Sequence, residues 1–93
     1  MYELIGGFVR SKAGRDAGKC YVIIDTSNEY VYLVDGKVRT LDNPKKKNLK
    51  HVKKLNYNDP LFAERIKNKS VINEEIKRTI KLLLNEISNK EVE

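Results

Sequence analysis

Ninety-three residues, 40% hydrophobic and 34% charged, with 19 Lys and Arg against 13 Asp and Glu, describe one small domain carrying a net charge of +6. A chain this short buries roughly 60–65% of its unfolded surface, which builds a core but leaves little room for a deep, water-excluding catalytic cleft, so a non-enzymatic role is expected. One Cys excludes an internal disulfide, and one Cys with one His cannot complete a four-ligand zinc site, so neither secretion nor a structural metal is expected.

Met1-Tyr2-Glu3-Leu4-Ile5 holds an acid where a secretory leader needs basic residues ahead of a long apolar stretch. The longest apolar runs, residues 20–24 and 30–34, are five residues each, against the roughly 20 that span a bilayer. The expectation is a cytoplasmic protein with no membrane partner. Residues 7–11 read as a first strand, with Phe8 and Val9 between small and polar neighbours. Residues 20–25 read as a second. There Tyr21 and Ile23 point one way and Val22 and Ile24 the other, and apolar residues on both faces indicate a strand inside a closed or doubly covered sheet.

Residues 30–34 form a third strand leading into Asp35-Gly36, a dipeptide favoured in type I′ turns, so residues 37–41 are expected to return antiparallel as a fourth. Residues 48–55 are ambiguous. Leu49, Val52 and Leu55 recur every three residues, whereas Leu49, His51, Lys53 and Leu55 would share one strand face; the segment is read as a short final strand. Gly14, Gly18, Asn28 and Asp42-Asn43-Pro44 punctuate the gaps. Short strands at close spacing with tight turns predict a mainly β fold, a small antiparallel barrel over residues 1–58.

Beyond residue 58 the apolar period changes from two to 3.6. Asp59 as cap and Pro60 at the first helical position start a short helix to about residue 66, burying Leu61, Phe62 and Ile66. Ile76, Ile80, Leu83, Leu84 and Ile87 form a stripe on a second helix, with Asn73 as N-cap and Glu74 and Glu75 at the positive end of its dipole. Residues 59–93 are therefore expected as a helical extension of the same domain, its stripe packed on the barrel. The alternative is a protein-interaction module of translation or transcription that docks a partner on this stripe or on the barrel edge.

All the excess charge is N-terminal: residues 1–58 hold twelve Lys and Arg against six acids, and residues 59–93 hold seven of each. Lys45, Lys46, Lys47, Lys50, Lys53 and Lys54 fall within ten residues, with His51 among them and no acid. Such a block is either a solvated loop or the face of a polyanion-binding surface, and the asymmetry favours the second. A membrane surface fits less well, because anchoring asks for an adjacent amphipathic helix with bulky apolar residues and the helix here is charge-neutral. Nucleic acid is the expected partner.

The run from Gly7 to Ile24 is a strand, a glycine-bearing loop and a strand, with Lys12, Arg15 and Lys19 on the loop and Gly14 and Gly18 supplying backbone freedom. It is not a P-loop, because only three residues separate Gly14 from Gly18 and a strand follows where a helix is required. The same spacing fails the GXXG clamp, no G-x-G-x-x-G occurs, and no cofactor is expected. His51 and Cys20 read as surface and core residues rather than catalysts, since no nucleophile-and-base pair accompanies them. Tyr21, Tyr30 and Tyr32 lie on strands, favouring packing over base stacking, and lack the spacing of an RNP motif.

Gly7-Phe8-Val9, Ala13-Gly14-Arg15-Asp16-Ala17-Gly18-Lys19, Val22-Ile23-Ile24-Asp25, Val34-Asp35-Gly36 and, more loosely, Asn48-Leu49-Lys50-His51-Val52 resemble the KOW-motif proteins. The likeness covers residues 4–56 and is strongest to the branch of the archaeal and eukaryotic "fourteen-e" large-subunit ribosomal proteins and their small bacterial homologues. The resemblance implies an SH3-like barrel that binds RNA, usually ribosomal RNA, and hence ribosome association. On that reading Lys12, Gly14, Arg15, Gly18 and Lys19 of the motif loop act with Lys45, Lys46, Lys47, Lys50, His51, Lys53 and Lys54 on phosphates.

Overall fold

Alternation of apolar residues along short extended segments gives one sheet a core on each face. The computed structural model describes the backbone of residues 2–92 and the side chains of residues 2–87. Strands β1 (Phe8–Ser11), β2 (Cys20–Ser27), β3 (Tyr30–Val34), β4 (Lys45–Asn48) and β5 (Val52–Lys54) pair antiparallel in the order β4-β3-β2-β1-β5. Helices α1 (Pro60–Lys67) and α2 (Asn73–Val92) follow.

The two outermost strands, β4 and β5, are consecutive in the chain and joined only by the 3₁₀ turn Leu49–His51. Five strands laid flat would separate their outer members by about 19 Å, more than the roughly 14 Å that four residue steps can reach, so the sheet has to curl. Val9, Tyr21, Ile23, Val31, Leu33 and Val52 fill the inside of the curl, with Leu4 and Leu49 at its margin. No ladder joins β4 to β5 among the described residues, so the expected barrel takes the form of a curled, open sheet.

Phe8, Cys20, Val22 and Val34 project from the other face and pack with Phe62 and Ile66 of α1 and Ile76, Ile80 and Leu83 of α2. Strand β2 is thus covered on both sides, as its double apolar run demands. Asp59 caps α1 by accepting a hydrogen bond from the Phe62 N–H at 3.1 Å, and Pro60 opens the helix. Leu61 departs from expectation: it is 80% exposed, because the helical pitch turns it away from the face shared by Phe62 and Ile66. The α2 stripe faces the chain's own sheet. Ile76, Ile80 and Leu83 are buried and Ile87 packs at their edge, so of the five stripe residues only Leu84, 38% exposed, presents a surface to a partner.

Asn73 does not cap α2. The Ile72 carbonyl accepts the first helical bonds, from the N–H groups of Glu75 and Ile76, while the Asn73 carboxamide oxygen accepts from the Leu41 N–H at 2.9 Å and ties the preceding loop to the helix. The expected return strand over residues 37–41 is also absent. The Asp35 carboxylate accepts from the backbone N–H groups of Lys37, Val38 and Arg39 at 2.9 to 3.0 Å, taking the donors that a ladder would need. Gly36, at φ +79°, packs so closely on α2 that a Cβ would lie 2.3 Å from the Asn73 carbonyl oxygen.

The return strand is instead β4, Lys45 opposite Leu33 and Lys47 opposite Val31. Consecutive lysines have low strand propensity, but on an edge they also discourage pairing with other chains. The ambiguous segment divides in two: the Asn48 side chain accepts from the Lys50 N–H and starts the 3₁₀ turn, and β5 begins at Val52.

Candidate nucleic-acid interface

Residues 12–19 connect β1 to β2 through a turn that needs Gly14 at φ +87° and Gly18 at φ +90°. The Gly18 N–H donates to the Ser11 carbonyl at 2.8 Å and the Lys19 N–H to that of Asp16 at 2.9 Å. These donors hold the loop itself and do not face a ligand, so the part of Gly18 is conformational.

Asp16 organises the site. It is only 5% exposed, and its carboxylate accepts from the Ser11 hydroxyl at 2.9 Å, the Tyr21 hydroxyl at 3.0 Å, the Lys47 ammonium at 2.9 Å and the Lys45 ammonium at 2.8 Å. Burial alone would raise its pKa, but the two lysines and two hydroxyls together hold it well below the ordinary carboxylate range. Burial, and then donation to Asp16, pushes the Tyr21 phenol up to about 12. Lys47 also donates to the Ala13 carbonyl at 2.8 Å, so one ammonium clamps the loop at two points.

Strand alternation explains why the three lysines of β4 do different things. Lys45 and Lys47 share the face that turns toward Asp16, whereas Lys46 lies opposite Tyr32 with its ammonium 4.4 Å from the centroid of the Tyr30 ring. The Lys47 side chain is 10% exposed and serves the loop; that of Lys45, 27% exposed, is still open to solvent. Lys45 lines a shallow hollow of about 200 Å³ together with Arg15, Lys19 and Arg39.

Lys12, Arg15 and Lys19 are exposed and make no salt bridge among the described residues. The Lys12 N–H donates to the His51 carbonyl at 2.8 Å, which sets the exposed Lys50 and His51 beside the loop. Nine of the twelve expected residues are therefore gathered around one connection: Lys12, Gly14, Arg15, Gly18 and Lys19 within it, Lys45 and Lys47 on its Asp16, and Lys50 and His51 beside it. Lys53 stands across from Arg10 in the β1–β5 pair, and Lys54 lines a different hollow beside Glu3 and Lys67.

Two contributors went unassigned in the sequence. Asp16 is the only acid between Gly7 and Ile24, and that isolation in a basic loop is the signal that it has an internal partner. Arg39 reaches the hollow because residues 35–39 coil instead of extending. Cys20 is buried, and burial pushes its thiol up to about 11, away from nucleophilic chemistry at neutral pH. Among the described residues no helix is long and apolar enough to cross a membrane. In comparisons with protein-family models and with curated proteins, nothing matches this chain.

Proposed function

We propose that the protein is a non-enzymatic RNA-binding module of the KOW type, its curled sheet a variant of the SH3-like barrel. Ribosomal RNA is the class of ligand that the resemblance implies, with the chain acting on or near the ribosome in the cytoplasm. Lys12, Arg15, Lys19, Lys45, Lys50 and His51 contact phosphates, Lys46 and Tyr30 add a lateral contact, and Lys53 extends the surface along β5. The observation that carries this reading is the Asp16 clamp. It fixes the loop through Lys47 and the half-open Lys45 and still leaves Lys12, Arg15 and Lys19 facing solvent with no salt bridge among the described residues. A rigid loop bearing unmatched cations is preorganised for a polyphosphate, since little ordering entropy remains to be lost on binding.

The test is the salt dependence of binding to a structured ribosomal RNA fragment, followed by fluorescence anisotropy. About five phosphate contacts give a slope of log K against log salt near −3.5 to −4.5. Replacing Lys12, Arg15 and Lys19 with Ala is expected to flatten that slope by about 2 to 2.7 and to weaken all sequences alike. A wild-type slope near zero refutes the assignment.

A further inference from the structure

We propose that the RNA surface continues from the loop onto α2, where Lys19, Lys37, Lys77 and Lys81 line a groove that takes a single-stranded RNA segment. Its phosphates lie on the lysines, and a ribose or base edge lies over Val38 and Leu84. The inference rests on the RNA-binding reading above and extends it to a part of the chain whose charges sum to zero in sequence.

The groove has a volume of about 570 Å³ and runs between the end of the motif loop, the coil at residues 35–38 and the outer face of α2. It shares Lys19, Asp35 and Val38 with the smaller hollow that holds Arg15, Arg39 and Lys45, so the two form one continuous track. Lys77 and Lys81 are one helical turn apart, a rise of about 6 Å, and positions 77, 80, 81 and 84 fall on one face. Ile80 points to the core and Leu84 stays at the rim. Gly36 makes the juxtaposition possible, because its missing side chain lets the 35–38 coil approach to contact distance of the Lys77 backbone.

Little inside the protein offsets these charges. Lys19, Lys37 and Lys81 form no salt bridge among the described residues, and Lys77 reaches Glu74 only at 3.8 Å with both side chains in water, a pairing of small worth. Among the described residues Asp35 is the one acid lining the groove, and one of its carboxylate oxygens holds three N–H groups of its own coil. A cleft this size suits a strand rather than a duplex. Among the described residues no aromatic lines it, so recognition there is of backbone and sequence-tolerant.

The experiment uses the full chain and two labelled probes, a 20-nucleotide oligouridylate and a 20-base-pair RNA duplex, titrated from 50 to 300 mM salt. The Lys77→Ala/Lys81→Ala variant is expected to lose two contacts to the oligouridylate, flattening its slope by about 1.4 and weakening binding about 25-fold at 0.1 M salt. Duplex binding and melting temperature stay unchanged. Lys67→Ala/Arg78→Ala, which removes the same charge away from the groove, is expected to change oligouridylate affinity less than threefold. Full slope retained in the groove variant, while Arg15→Ala flattens it, overturns the groove and leaves the loop assignment standing. A wild-type protein that binds neither probe overturns both. A groove variant that loses a labelled decaglutamate peptide but keeps the oligouridylate overturns the proposal in favour of an acidic protein segment.

Discussion

Replacing Asp16 with Asn keeps the shape of the side chain and removes the charge that two ammonium groups and two hydroxyls converge on. Lys47, with its side chain 10% exposed, is then left without a counter-ion, and the new carboxamide NH₂ faces a donor on at least one side. Breaking a buried ion pair by removing one member costs about 3–5 kcal/mol; the lower end applies here because Lys45, 27% exposed, can turn out to water. For a domain of this length about 3 kcal/mol lowers Tm by about 15 °C, read by circular dichroism at pH 7. The pH dependence has a fixed sign. The folded-state pKa of Asp16 is depressed from its ordinary 3.8, so its stabilisation is present above pH 3.8 and is lost as pH falls toward the folded value. The gap between wild type and Asp16→Asn should therefore be constant from pH 7 to about 5 and shrink below about 4. RNA affinity gives an independent sign: the substitution raises net charge from +6 to +7, which strengthens binding if charge alone matters and weakens it if the clamped loop does. A Tm within 3 °C of wild type, or a gap that is flat down to pH 2, would refute the clamp.

Two paired substitutions test the surrounding architecture. Gly18→Ala, at φ +90° but with nothing within 4 Å of a new Cβ, should cost about 1–2 kcal/mol from backbone conformation alone, whereas Gly36→Ala adds a collision with α2 and should cost at least about 3 kcal/mol; equal losses in chemical denaturation would contradict the close approach. Lys47→Ala should destabilise the fold by about 2–3 kcal/mol, because Asp16 loses the more buried of its two cations and the Ala13 carbonyl loses its donor, while Lys46→Ala, on the opposite face of the same strand, should cost less than about 1 kcal/mol and act mainly on RNA affinity. The reverse order would show that strand alternation in β4 has been misread.

Segments governed by hydrophobic period were legible in the sequence. The strands near residues 8–11, 20–27 and 30–34 and both helices stand close to where alternation and the 3.6-residue stripe put them, because each buries one face that its own residues define. Where a single side chain captured backbone donors, local pattern misled. Asp35 coiled the chain that Asp35-Gly36 was expected to fold back, and Asn73 reached across 32 residues to Leu41 instead of capping its own helix. The candidate site shows the same division. The loop cations were visible as charge, but that the Lys45–Lys47 run splits into clamp and contact depends on strand pairing with β3, which composition does not encode. The balanced total of residues 59–93 likewise hid that Lys77 and Lys81 share one face of α2.

One carboxylate at position 16 is held by ammonium groups contributed some thirty residues later. The consequence concerns biosynthesis. While only the first forty or so residues have emerged, neither ammonium group of the clamp has been made, and the cost of burying the Asp16 charge without them keeps the connection open to water. The loop thus takes its final shape late and all at once, when the lysine strand docks, and a product terminated before residue 45 is expected to leave residues 12–19 unclamped.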